Sequence, residues 1–139
     1  MDFSIGELSR RAQVKIPTIR YYEQIGLLRA PPRSEGKQRR YDEQDARRLN
    51  FVRHARELGF EIEAIRELLQ MSSRPDTSCE DADRIARRHL DEVDTRIARL
   101  TALRGELTRM LSECAHGRVG ECRVIQVLAD HDLCADQNH

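Results

Sequence analysis

Apolar residues recur at helical spacing along most of the chain, and short polar or proline-bearing stretches interrupt them. Ile5, Leu8 and Ala12 fall on one face of a helix over residues 4–14, which Ser4 and Glu7 open as a capping box. Pro17 suits a first helical position, so residues 17–24 read as a second short helix, ended by Gly26. Two short helices joined by a few residues, the second carrying Arg and Tyr, form a helix-turn-helix pattern. Residues 27–41 hold two prolines, a glycine and five basic residues, a composition that suits a hairpin-like basic wing rather than a packed helix. Asp42 or Asp45 opens the next helix, which shows Leu49, Val52 and Ala55 on its apolar face, with Phe51 alongside, and stops at Gly59. Ile62, Ile65, Leu68 and Leu69 mark a further helix over about 61–70, and residues 71–78 are a linker by composition.

The pattern then changes. From 79 to 112 there is no proline, and Ala86, Leu90, Val93, Ile97, Leu100, Leu107 and Leu111 follow one another at spacings of 4, 3, 4, 3, 7 and 4. This is a heptad seam with one fault at Arg104, where Leu103 stands one residue off register. A solitary amphipathic helix of this length has no core of its own. Its simplest partner is a second copy of itself; the other possibility is packing back on the N-terminal helices. The chain therefore divides into a winged helix-turn-helix region (1–70), a linker (71–78), a dimerisation helix (79–113) and a C-terminal loop, short helix and tail (114–139). The fold class is all-α in the main.

Composition agrees with helices that bury one stripe: 39% hydrophobic, 35% charged, 4% aromatic and no Trp in 139 residues. No segment is apolar enough to span a bilayer, and the N-terminus lacks the pattern of a secretory signal, so a cytoplasmic protein without a membrane partner is expected. The net charge of zero hides an asymmetry. Residues 10–40 carry nine basic and two acidic groups (net +7), whereas residues 41–139 carry fifteen basic and twenty acidic (net −5). A basic head on an acidic body suits a polyanion partner.

All four cysteines, Cys79, Cys114, Cys122 and Cys134, lie outside the basic head. In a cytosolic chain, metal binding or redox chemistry precedes structural disulfides as the expected role. Capping residues around Thr77 and Ser78 put Cys79 in the first turn of the long helix, and Cys114 stands at its far end, before Gly117. At ~1.5 Å per residue the two thiols of one chain are roughly 50 Å apart, too far to share an ion. In an antiparallel dimer the start of one long helix meets the end of its partner. Cys79 of one protomer then approaches Cys114 and Cys122 of the other, and symmetry makes two such sites. The two glycines between Cys114 and Cys122 permit a loop that curls around an ion, and Cys122 opens another helical stretch through Ile125 and Leu128. Three thiolates suit a soft or borderline ion, and the absence of a tight Cys-x2-Cys pair separates this arrangement from a structural zinc finger. His116 is a possible fourth ligand and Cys134 a possible accessory one. No Cys-x-x-Cys or nucleophile–base motif is present, so no catalytic residues are assigned. The residues alone leave open a metal chaperone or buffer that does not bind DNA in a sequence-specific way.

Ile5-Gly-Glu-Leu8, Thr18-Ile-Arg-Tyr-Tyr-Glu23, Gly26-Leu-Leu28, Pro32-Arg-Ser34, Arg39-Arg-Tyr41 and Leu58-Gly-Phe60 together resemble, in order and spacing, the MerR family of bacterial metal-responsive transcription regulators. The resemblance is dense over residues 3 to about 70 and looser to about 128. It implies a homodimer on double-stranded promoter DNA that controls RNA polymerase by distorting a spacer too long for the polymerase to use, activating a metal-resistance or efflux promoter. By position it implies that Arg20 and Tyr21 reach the major groove or its phosphates. It implies backbone contacts for Lys15 and Thr18, and for Arg33, Arg39 and Tyr41 in the wing, with Tyr22 packed inside. The wing departs from copper-type members, with Gly36-Lys-Gln38 where they carry Gly and an aromatic. Copper(I) members resembling this chain also lack a thiol at the position of Cys79. The resemblance therefore implies a divalent ion: Zn2+, Cd2+, Pb2+ or Hg2+.

Overall fold

A computed structural model describes residues 2–30, 40–113, 117–130 and 133. Among these residues six α-helices follow one another: α1 (Ile5–Ala12), α2 (Ile16–Gln24), α3 (Glu43–Glu57), α4 (Ile62–Ser72), α5 (Glu80–Ser112) and α6 (Arg123–Ala129), with a 3-10 turn at Val119–Glu121. Among the described residues there is no strand, only an isolated antiparallel bridge between Phe3 and Tyr41. The chain separates into two units, residues 1–85 and 86–139, so the division falls inside α5.

Local chemistry sets the helix ends of the first unit. Ser4 Oγ accepts the Glu7 N–H at 3.2 Å and caps α1. Asp42 and Asp45 each accept the other's backbone N–H, at 2.9 and 2.8 Å, forming a reciprocal capping box on α3. α2 begins at Ile16, one residue earlier than the proline pattern predicts. Pro17 occupies its second position, where a missing N–H is still one of the donors that no helical carbonyl needs. α2 and α3 end alike, on Gly26 (φ 82°) and Gly59 (φ 87°). The next residues, Leu27 and Phe60, return their N–H groups to Tyr22 and Ala55 carbonyls at 2.9 and 3.1 Å. α4 runs through Met71 and Ser72, two residues into the expected linker.

The first unit closes around one core. Leu8, Ile19, Leu27, Leu49, Val52 and Ile65 have no solvent exposure, and Ala12, Tyr41 and Leu69 are nearly as buried. Four helices contribute, together with Leu27, Leu28 and Tyr41 from the chain between α2 and α3. Burying each large aliphatic side chain contributes about 2 kcal/mol, which lets three short helices, marginal alone, hold their places.

The second unit is built differently. Leu90, Ile97, Leu100, Leu107 and Leu111 are each more than half exposed along α5. Its buried residues gather at the C-terminal end, where Met110 of α5 and Val127 of α6 are covered and the Glu106 carboxylate is buried beside Arg109.

Candidate nucleic-acid interface and metal-ligating cysteines

The turn between α1 and α2 is tight. Gln13 takes a left-handed conformation (φ 56°), and Ser9 Oγ donates to the Val14 carbonyl at 2.6 Å. This fixes how α2 leaves α1. Ile19 and Tyr22 turn inward to the core, so Pro17, Arg20, Tyr21 and Gln24 form the outward stripe. Tyr21 is half exposed, Thr18 is half-buried, and Lys15 stands exposed at the N-cap. The expected Arg20, Tyr21, Lys15 and Thr18 are thus brought together on one short helix and its entry. Gln24 joins the same stripe and was missed by motif matching, although the helical period from Arg20 and Tyr21 points to it.

The basic residues sort into two kinds. Several are structural: Arg48 Nε donates to the Leu27 carbonyl and an Arg66 guanidinium N–H to the Ile25 carbonyl, both at 2.7 Å, meeting acceptors just past the end of α2. Arg11 pairs with Glu43 at 2.9 Å and lies over the Phe3 ring at 4.0 Å. By contrast Arg10, Lys15 and Arg20 have no ion pair among the described residues, which leaves their charge available to an outside anion.

The described residues on either side of 31–39 are joined: Arg29 reaches Asp45 at 2.8 Å and Asp42 at 3.2 Å. Burial raises the Asp45 carboxyl above the ordinary aspartate value, despite the Asp42 N–H and Arg29 that favour its charge. The N–H donated by Asp45 holds Asp42 below that value, helped by Arg29 against some desolvation. Tyr41 departs from the expected backbone contact with DNA. Its side chain is only 1% exposed, its hydroxyl donates to Glu23 at 3.1 Å, and its backbone pairs with Phe3. Tyr41 therefore ties the chain just ahead of α3 to α2 from inside; a ring that completes the core cannot also lie on phosphates. The expected contacts Arg33 and Arg39 lie outside the described residues, whereas Tyr22 packs inside as expected, 8% exposed.

Cys79 is exposed and sits immediately before α5 rather than in its first turn. Its carbonyl accepts the Asp83 N–H at 2.9 Å, and Ser78 Oγ accepts the Glu80 N–H at 3.2 Å. Cys122 is half-buried and stands at the N-cap of α6, its carbonyl accepting the Gln126 N–H at 3.0 Å. Both are thiols outside any disulfide, soft donors of the type a thiophilic ion requires. Cys114, His116 and Cys134 lie outside the described residues. Among the described residues of one chain, no three His, Cys, Asp or Glu side chains gather closely enough to hold a metal. No described helix is long and apolar enough to cross a membrane.

Two family descriptions match this chain: MerR HTH family regulatory protein over residues 3–72, and MerR, DNA binding, over residues 46–110. The HTH-type transcriptional regulator ZntR of Escherichia coli (strain K12) is 41% identical over 130 residues, covering 91% of this chain and 92% of that protein. The mercuric resistance operon regulatory protein of Shigella flexneri is 37% identical over 119 residues, covering 86% and 81%. Among solved structures, the transcription regulator PbrR691 from Ralstonia metallidurans CH34 in complex with lead(II) superposes with a TM-score of 0.78 at 36% identity, over 91% of this chain and 98% of that one. Coverage of nearly the whole chain by such relatives, on a helix-turn-helix whose outward stripe carries Arg20 and Tyr21, establishes that this protein belongs to the MerR family of DNA-binding helix-turn-helix regulatory proteins.

Proposed function

We propose that this protein is a homodimeric transcription regulator that senses a divalent thiophilic metal ion and activates a metal-resistance or efflux promoter. The observation that carries the reading is the exposed seam of α5. Leu90, Ile97, Leu100, Leu107 and Leu111 need a covering surface, and a second copy of the same helix supplies one of matching length and period. In the antiparallel arrangement Cys79 of one protomer meets the loop that begins at Cys114 and ends at Cys122 of its partner. Cys79, exposed at the start of α5, is free to make that approach. His116 and Cys134 are further candidate ligands.

Each residue then has a task. Cys79, Cys114 and Cys122 hold the ion as thiolates, which links the ends of two protomers when it is bound. Arg20, Tyr21 and Gln24 face the major groove, while Lys15, Thr18, Arg33 and Arg39 hold phosphates. With two heads fixed on one dimer, a change at the α5 ends alters the spacing or tilt that the heads impose on the DNA. Such deformation is an energy the promoter sequence and RNA polymerase both feel. The lead(II) complex of PbrR691 and the mercuric resistance role of the Shigella flexneri relative support a soft divalent effector; Zn2+, Cd2+, Pb2+ and Hg2+ remain the candidates.

In vitro transcription from the promoter adjoining the gene, with Zn2+, Cd2+, Pb2+, Hg2+, Cu+ or no metal, tests the reading. Induction by one divalent ion, lost in Cys79→Ser, is expected. A footprint on DNA with no response to any ion overturns the sensing claim. Metal binding without a footprint overturns the regulator claim in favour of a metal buffer.

A further inference from the structure

The described part of the second unit carries an ionic ladder that the cysteine argument does not use. Glu106, 4% exposed, lies 2.7 Å from Arg109. Arg109 reaches Glu113 at 3.4 Å and donates to the Leu133 carbonyl at 2.8 Å. Glu113 in turn lies 2.7 Å from Arg123. The ladder thus runs up the last two turns of α5 and crosses to the first residue of α6. Arg123 keeps only 24% of its side-chain exposure and its Nε is buried, whereas the Glu113 side chain is 43% exposed.

Covalent order makes the position of this pair significant. Glu113 immediately precedes Cys114, and Arg123 immediately follows Cys122. The ion pair therefore joins the two residues that flank the cysteine-bounded loop from outside. Closing a chain of this length by a metal alone means ordering both ends at the moment of binding. A pair that holds Glu113 against Arg123 beforehand removes part of that cost. Met110 of α5 and Val127 of α6 are also buried, 6% and 2% exposed.

We propose that Glu113 and Arg123 are positioning residues for a thiophilic divalent cation, closing the base of the cysteine loop before the ion arrives. The proposal rests on the assignment of Cys114 and Cys122 as ligands and adds what sets their spacing. Neither residue is a ligand.

A double-mutant cycle on the full-length protein tests this, with Cd2+ as the probe, read by its thiolate charge-transfer absorption and by chelator competition. Glu113→Gln and Arg123→Gln are each expected to weaken Cd2+ binding about tenfold, the lower range for residues that hold ligands in place. The double variant is expected to lose no more than either single one, because both remove the same contact. Arg123→Lys, which keeps the charge, should recover most of the loss. In the metal-free protein, amide exchange over residues 117–129 should quicken in Arg123→Gln, while the footprint on promoter DNA stays unchanged. Unaltered Cd2+ affinity in both single variants, or losses that simply add in the double one, overturns the clamp while the thiol site stands. Absence of a charge-transfer band in the unsubstituted protein overturns the thiol site itself, and the clamp with it.

Discussion

The two units of this chain treat their apolar residues in opposite ways. In residues 1–85, Leu8, Ile19, Leu49, Val52 and Ile65 have lost all contact with solvent. Along α5 in residues 86–139, Leu100 and Leu111 remain 64% and 65% exposed. Both stretches are amphipathic and helical, so periodicity does not separate them. What separates them is whether the chain folds back to cover its own stripe. Short helices with tight turns do so in the first unit. A 33-residue helix, about 50 Å long, has too little neighbouring chain to cover its length. A DNA-binding head that completes its own core can act as a rigid body. A helix that leaves its seam open makes assembly a condition of its stability, which suits a site shared between two chains.

The sharpest way to break the contrast is Ile97→Glu with Leu100→Glu. Across a dimer this removes four apolar side chains at about 2 kcal/mol each and places like charges in the seam. Sedimentation should report a monomer whose first unit keeps its helical signal. A dimer of unchanged affinity would show that the seam has another partner.

Next in size is Leu49→Ala, which opens a cavity in the closed core. A loss of about 3 kcal/mol of unfolding free energy is expected, with dimerisation retained by native mass measurement. An effect under ~1 kcal/mol would mean that the first unit collapses into the space and is less tightly packed than its burial implies.

Arg20→Ala sharpens the functional side. Promoter affinity should fall about tenfold, with a shallower salt dependence if the contact is to phosphate. Thermal stability should hardly change, because Arg20 has no ion pair among the described residues. A stability loss as large as that of Leu49→Ala would make Arg20 structural.

The smallest effect concerns pH. Asp45 is raised by burial, so its ionisation opposes folding; that contribution favours the fold below the unfolded aspartate value and is lost as pH rises through its folded value. Asp42 is lowered by the Asp45 N–H, so its contribution is present above the unfolded value and is lost as pH falls through its folded value. On acidification Asp45 should take its proton first and Asp42 only later, when the α3 cap weakens. Carboxyl NMR titration in the range around and below ordinary aspartate values would show this order; the reverse order would mean that Arg29 outweighs burial at Asp45.

Much of the fold was legible from local signals. Ser4, Asp42, Gly26 and Gly59 each do at a helix end what their side chains, or the lack of one, allow. The heptad seam was legible as a stripe, and its exposure follows from length. Tyr41 was not legible. Beside Arg39 and Arg40 in a basic stretch it reads as a surface contact, and only the bridge to Phe3 and the carboxylate of Glu23 bring it inside. Arg48 and Arg66 were likewise countable as basic charge, yet they serve carbonyls beyond the end of α2. Of the candidate site, the outward stripe on α2 was readable from its period, but the Glu113–Arg123 pair was not, since its members are ten positions apart and belong to no local pattern.

The amino-acid order alone determined where helices start and stop to within about two residues, which face of each is apolar, where basic charge concentrates, and that cysteines flank a loop. These depend on neighbours within a few residues, where backbone sterics and capping hydrogen bonds act. Tertiary structure alone decided which charges remain for DNA, which aromatic ring completes the core, and which ion pair joins the ends of α5 and α6. Those outcomes depend on groups distant in sequence competing for the same contacts, and burial or a well-placed partner settles that competition only once the helices have packed.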